Sequence, residues 1–392
     1  MPNKINSLYL VTISVLVIIS CKPRAFDPSI ENFTFTEVPE RRREIKLSEI
    51  AEDIHYVPLE KHQDALIGSR NAQVIPTDKY LFVSQSDRPL LMFDYKGKYL
   101  RTFGKFGRGP NEYGLNYSFS HDISSERIFI LNKQSGKIQV FNLDGKDLEP
   151  IYPEKKIIQF EYIGNDLFIG CVQTDNYINP KDTNYIIFDS HGRIYNGLHI
   201  PGTTIFNYKQ NEAVQITPTF YHSPNGVNII TNQNDSIFTA TAKGEILISL
   251  ICNFGKFSAP FNISDPSIDR KEKEKFIRSF GTIETEKFWF IGFNLSNKFH
   301  RYILDRSNNQ SYVSDLIIND IDGGPNFWPY YRNHKAKKFA ILQDILYLKQ
   351  NKDAGKFNNT DIEYPKRNEE FKVLLDSLSL TDNPIVIVVD LK

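Results

Sequence analysis

The stretch FGKFGRGPNEYG, Phe103 to Gly114, overlaps the end of PLLMFDYKGKYLRTFG, Pro89 to Gly104, and the way the two are read decides the fold. Four glycines, a proline and the cations Lys105 and Arg108 give the first stretch the look of a phosphate cradle. A P-loop requires G-x-x-x-x-G-K-[ST], because a lysine and a hydroxyl must follow the cradle to meet phosphate and metal. No glycine here is followed by Lys and then Ser or Thr. A dinucleotide loop requires G-x-G-x-x-G; Gly107 and Gly109 fit, but Glu112 stands at the third position. The glycines serve better as bends, since they tolerate positive φ, and Pro110 prevents the segment from adding another strand. The stretch therefore reads as a connector from the outer edge of one β-unit to the inner strand of the next.

Outward from it, the same grammar repeats. PLLMFDYKGKYLRTFG is two strands joined at Lys96-Gly97, preceded by the strand candidates IHYVPLE and KYLFVSQ. ERIFILN and KIQVFNLDGKDLEPI turn at Asp144-Gly145. NDLFIGCVQ and NYIIFDSHGRIYNGL turn at His191-Gly192, and NGVNIITNQNDSIFTATAKGEILISL turns at Lys243-Gly244. The turn glycines are spaced 48, 47 and 52 residues apart. A period near 50 built from several short strands marks a propeller blade.

TEKFWFIGFN with HRYILDRSNNQSYVSD supplies a fifth unit turning at Ser307-Asn308-Asn309, and KKFAILQDILYLKQ part of a sixth. One blade cannot bury both faces alone, so blades stack radially until the ring closes. The apolar run NPIVIVVDLK, Asn383 to Lys392, is placed to close it together with IHYVPLE as a two-ended clasp. Two helices are expected on the ring. SDPSIDRKEKEKFIRSF has Ser264 as cap, Pro266 in its first turn and Phe276, Ile277 and Phe280 on one face. KRNEEFKVLLDSLSL has Phe371, Leu374, Leu375 and Leu378 at helical spacing.

Composition agrees with β-structure: 29 Phe and 20 Tyr stand against 2 Met and 2 Trp. Lys plus Arg and Asp plus Glu are both 47, so no net field attracts nucleic acid, and none is expected as a partner. The leader MPNKINSLYLVTISVLVIISC carries Lys4, an apolar run and Ser20 before Cys21, the anatomy of an export signal. Ile18-Ile19-Ser20-Cys21 resembles a bacterial lipobox, which implies lipidation of Cys21 and a membrane partner; an uncleaved anchor or plain secretion are the alternatives. The expected organisation is a signal peptide over 1–20, a tether over 21–45 and a single propeller over 46–392. Cys171 and Cys252 read as unpaired core thiols, with a disulfide as the alternative.

The lipobox, the unit FDYKGKYLRTFGKFGRGPNEY, its echo FNLDGK and the terminal helix before DNPIVIVVDLK together resemble the six-bladed β-propeller lipoproteins of Gram-negative bacteria, relatives of the NHL-repeat propellers. That resemblance implies an all-β fold, a six-bladed β-propeller with a few peripheral helices. It also implies a place in the cell envelope, and Lys22 after the cysteine favours the outer membrane, with the periplasmic or surface face left open.

Chemistry is harder to find. The eight histidines show no HExxH or Cys/His cluster, and no G-x-S-x-G elbow is present. Asp320 to Gly324 lacks the further ligands of a calcium loop and reads as a turn. No catalytic residue, metal ligand or cofactor is assigned. His121 and His222 each lie just before an expected blade strand and are the first to inspect for an axial centre. On the blade rim, Arg108, Asn111, Glu112 and Tyr113 face either a neighbouring blade or a ligand. Beside Pro325 and Pro329, Trp328 and Tyr330 are placed to stack on a sugar or peptide, or to plug a gap between blades. The function expected is a non-catalytic scaffold for a glycan, peptide or protein, the alternative being a metal-dependent lyase or hydrolase working in the axial pocket.

Overall fold

The computed structural model describes residues 30–35, 42–68, 72–107, 109, 112–115, 117–173, 183–200, 204–207, 212–215, 218–231, 234–260, 268–277, 280–314, 316–326, 328–329, 331–333 and 337–392. They form a six-bladed β-propeller. Blade 1 runs from the axis outward as Gln73–Pro76, Tyr80–Gln85, Arg88–Asp94 and Tyr99–Phe103. Blades 2 to 5 repeat that antiparallel order, starting from the inner strands Ser118–Asp122, Ile157–Gly164, Thr219–Ser223 and Phe280–Glu284. Blade 6 is assembled from both ends of the chain. Tyr331–Asn333 pairs with Lys338–Gln343, which pairs with Ile385–Leu391, which pairs with Ala51–Pro58. The two-ended clasp is formed as the sequence indicated.

The middle strands explain why the ring must close. Side chains alternate across a strand, and here both faces are apolar. Phe129 and Leu131 enter the core shared with blade 3, whereas Ile128 and Ile130 enter the core shared with blade 1. In the closing strand Ile387 and Val389 pack toward blade 5, and Val386 and Val388 toward blade 1. Each neighbouring pair of blades thus shares one hydrophobic core, the cycle being completed by the blade 3–4 and blade 4–5 cores. Cys171 lies in the first of those two and Cys252 in the second; both are buried thiols that form no disulfide among the described residues.

The turn between the third and fourth strands follows one device. Gly97, Gly145, Gly192 and Gly244 have φ of 81, 78, 83 and 82°, a region that glycine enters without steric cost. Three residues earlier Asp94, Asn142, Asp189 or Thr241 accepts from the following backbone N–H groups through its side chain. In blade 5 the left-handed position falls to Asn309, φ 54°, and Ser307 N–H donates to Asp305 Oδ1 at 3.0 Å.

Three expectations change. Part of the segment expected as a tether belongs to the propeller: Glu31–Thr34 adds in parallel to the outer strand Ile246–Asn253 of blade 4, and Phe33 and Phe35 bury in the blade 4–5 core. An edge strand's unpaired backbone groups and an apolar recess together capture it. Of the first expected helix only α1, Arg270–Lys273, is present among the described residues, capped by Asp269; Ser264 and Pro266 lie outside the described residues. Ile277 leaves the helix because its N–H bonds Phe257 O and its side chain enters the blade 4–5 core. The run KKFAILQDILYLKQ divides into a strand and a helix, since Asp344 caps α2, Ile345–Asp353. The helix α3, Pro365–Ser377, forms as expected and buries Phe371 and Leu375 against Leu348, Phe357 and Ile385.

Two measurements check this account. Ile387→Ala should lower stability by about 2–5 kcal/mol in denaturant melts, against less than about 0.5 kcal/mol for the exposed Val373→Ala. Asp122 provides a pH signature. Burial alone would raise its carboxyl, but donors from Ser124 and Ser125 outweigh it and hold the carboxyl at about 2. A lowered carboxyl stabilises fully above its unfolded value near 4, and the gain is lost as pH falls through 2. Asp122→Asn should therefore cost about 2 kcal/mol at neutral pH and less than about 0.5 kcal/mol at pH 2.

Candidate functional site

The inner strands of the blades surround an axial cavity of about 470 Å³, within the size range of small-molecule sites. Three of its titratable side chains come from three successive inner strands: His121 from blade 2, Glu161 from blade 3 and His222 from blade 4. His222 Nε2 lies 3.1 Å from Glu161 Oε1, and Ser120 Oγ donates to the same oxygen. Ser120 is fixed in turn by the Tyr162 N–H, 2.9 Å from its Oγ. The His121 and His222 rings are 6.3 Å apart, and His121 stacks on Phe82. Lys133, from the loop after the second strand of blade 2, also lines the cavity, and burial draws its ammonium below the ordinary lysine range.

A second polar relay crosses from blade 4 to blade 5. Thr239 Oγ1 donates to Asn228 Oδ1 at 2.5 Å, Asn228 Nδ2 donates to Tyr221 Oη at 2.8 Å, and Tyr221 shares a 2.8 Å hydrogen bond with Thr282. Burial and then the charge of Glu284 push the Tyr221 phenol far above its ordinary range, so it works as a neutral hydrogen-bonding group.

The facing wall is aromatic. Phe290, Phe299 and Trp328 line it, with Trp328 edge-on to Phe290 at 5.5 Å. The Arg301 guanidinium lies 5.0 Å from the Phe299 ring and 5.7 Å from that of Trp328, a cation–π arrangement that braces both rings. Gly292 makes room for Phe299, because a Cβ there would stand 2.7 Å from its Cζ. Gly281, also on the wall, differs: a Cβ there meets nothing within 4 Å, so a side chain would enter open space.

Of the residues singled out in the sequence, the structure brings His121, His222 and Trp328 to this cavity. Arg108, Asn111 and Tyr330 lie outside the described residues. Glu112 and Tyr113 sit in the connector between blades 1 and 2. The Glu112 carboxylate accepts from Gly109 N–H at 2.8 Å, and its carbonyl accepts from Asn132 Nδ2 at 2.7 Å. Tyr113 is fully buried; its hydroxyl donates to Phe103 O at 2.6 Å and accepts from Leu90 N–H at 2.9 Å. Gly104, φ 61°, is required there because a Cβ would stand 2.8 Å from the Tyr113 ring. Asp320 receives Ser48 N–H and Oγ, so the Asp320–Gly324 turn fastens the start of the fold to blade 6. Among the described residues no three His, Cys, Asp or Glu side chains are placed to hold a metal. Sequence reading missed Lys133, Gln159, Glu161, Phe290 and Phe299. The signal available was position alone, since several of these fall on the short segment before a strongly apolar strand.

A larger cleft of about 610 Å³ opens between α3 and the outer strand of blade 6. Its basic groups are paired with acids in or beside it: His55 with Asp390 at 2.9 Å, Lys338 with Asp390, and Arg367 with Asp53 at 2.6 Å. These pairs fasten α3 and the closing strands together, so the axial cavity is the better candidate for a ligand.

A six-bladed propeller with a mixed aromatic and hydrogen-bonding axial cavity defines the class. The chain belongs to a domain family of unknown function, DUF4934, whose family model spans residues 30–390. No curated protein matches the sequence. Among solved structures it is similar to a protein of Bacteroides fragilis NCTC 9343 described as exported, at 15% identity and TM-score 0.69, over 93% of this chain and 99% of that one. It is also similar to a DUF4221 family member from Bacteroides vulgatus ATCC 8482, at 10% identity and TM-score 0.45, over 87% of this chain and 97% of that one. No described helix is long and apolar enough to cross a membrane.

The connector account is checked by Tyr113→Phe. It leaves Leu90 N–H and Phe103 O buried without their shared partner, and should cost about 2 kcal/mol in denaturant melts without altering ligand binding in the axial cavity.

Proposed function

We propose that this protein is an exported, lipid-anchored propeller of the cell envelope that binds a small polar, ring-bearing ligand in its axial cavity and does not transform it. The observation that carries the reading is the convergence of inner strands on one cavity with an aromatic wall and a wall of hydrogen-bonding groups. Such pockets fix a ligand's orientation through a few polar groups while apolar contacts supply affinity. The leader ending at Ser20-Cys21 supports the location. So does the description of the Bacteroides fragilis protein as exported. Multiple acylation of Cys21 would hold the domain on a bilayer, each buried methylene contributing about 0.8 kcal/mol.

The His222–Glu161 pair also supports a second reading, turnover. A histidine held by a carboxylate within hydrogen-bond reach is how a general base is positioned. Product formation by the wild type that is lost in Glu161→Gln would replace binding by catalysis.

Gly281→Leu tests the site. The variant should fold with unchanged stability, because its side chain enters open space, yet fill the cavity. In a calorimetric and thermal-shift screen of saccharides and other small ring-bearing molecules, the wild type should acquire ligands that the variant does not bind. Ligands bound equally by both would place the site elsewhere. The anchor is tested separately: Cys21→Ala should move the protein from the membrane to the soluble fraction, and retention of the variant on membranes would contradict acylation.

A further inference from the structure

We infer that the axial cavity is built for a saccharide bearing a carboxylate, with Lys133 as the anchor of that carboxylate and Phe299 and Trp328 as the platform for the sugar ring. The inference rests on the axial-binding reading above and adds the charge and chemical class of the ligand.

The first support is the way the lining divides. Every Lys, His and Glu on the cavity wall, namely Lys133, His121, Glu161 and His222, comes from blades 2, 3 and 4. Blade 5 and the approach to blade 6 contribute Gly281, Gly292, Phe290, Phe299, Trp328 and Pro329 among others, and no ionisable group. In a closed ring of six these two arcs stand across the axis from each other. A ligand filling the cavity therefore meets Lys133, Glu161 and two imidazoles on one side, and on the other aromatic rings braced by the Arg301 guanidinium.

The second support is the state of the charges. Glu161 is already engaged by Ser120 and His222. Lys133 forms no ion pair with a described carboxylate, although it is partly withdrawn from water, and burial disfavours its charged form. A withdrawn cation without a counter-ion is costly, and a carboxylate entering the cavity removes that cost. A cationic ligand would instead face Lys133 and two imidazoles. A neutral one would leave the ammonium uncompensated.

The third support identifies a sugar among carboxylates. Gln159 Oε1 is buried on this wall without a hydrogen-bond partner, an acceptor waiting for a hydroxyl donor. Gln73, Ser84, Ser118 and Thr219 add further donors and acceptors around the ring position. Ring hydroxyls satisfy such a set, and the C–H face of a sugar suits the opposite aromatic wall.

The test uses the full chain in detergent and titration calorimetry with trigalacturonic acid, its methyl ester and maltotriose. The acid should bind at least tenfold more tightly than its ester. Lys133→Met should abolish that preference while still binding the ester, and Lys133→Arg should retain it. Equal affinity for acid and ester, or a preference that survives in Lys133→Met, overturns the anchor. Failure of all three saccharides to bind overturns the ligand class. Should other small molecules still bind in a way that Gly281→Leu abolishes, axial binding survives that loss, so the two readings fail separately.

Discussion

The constraint on which the rest depends is that the middle strands of each blade are apolar on both faces. Ile128 and Ile130 point one way and Phe129 and Leu131 the other, so neither face of the sheet tolerates water. A single sheet of this kind has no stable existence, and a stack of them would leave two apolar ends. Only a closed cycle buries every face, and closure requires that the last blade be completed by chain from the beginning. The pairing of Ala51–Pro58 with Ile385–Leu391 is the physical consequence. Around it the structure gathers its polar fasteners: Arg367 on Asp53, Lys338 on Asp390 and the Asp320 carboxylate on Ser48. Arg43 similarly joins Glu49 to Asp305 of blade 5.

Closure also creates the site. Radial stacking fills the space between blades with side chains, while the inner strands meet their neighbours only around the axis. The groups found there are those that the inter-blade cores exclude: imidazoles, amides, hydroxyls, a carboxylate and an ammonium. Blade stacking does not require His222 beside Glu161, nor Lys133 in the cavity wall. Such polar groups in a concave site, held on rigid strands, are the kind of arrangement that binding selects.

Much of the fold is legible in the sequence. The turn glycines at 97, 145, 192 and 244 announce themselves because the turn between third and fourth strands needs a left-handed residue, and blade 5 is fainter because Asn309 takes that place. The closing strand is legible because a run of β-branched residues with both faces apolar fits only a buried strand. Parallel addition of Glu31–Thr34 to blade 4 was not legible, since a four-residue edge pairing across more than two hundred positions leaves no local pattern. Nor was α2, where the apolar run masks the cap at Asp344. The site was the least legible part. His121 and His222 could be singled out by position, but Lys133, Glu161 and the aromatic wall become neighbours through the rotation of successive blades, which no spacing in the sequence expresses.

The connector Phe103–Gly114 shows the same division between architecture and function. Its glycines answer to geometry, Gly104 to the Tyr113 ring and Gly107 to the Glu112 carboxylate, and the Glu112 and Tyr113 side chains are engaged within the joint. The axial cavity is where the account meets its most direct test: hydrogen–deuterium exchange of the full chain with and without trigalacturonic acid. Slowed exchange concentrated in Ser118–Asp122, Ile157–Gly164 and Thr219–Ser223 is the result the account predicts. Protection confined to the outer strands or to the cleft beside α3 would contradict it.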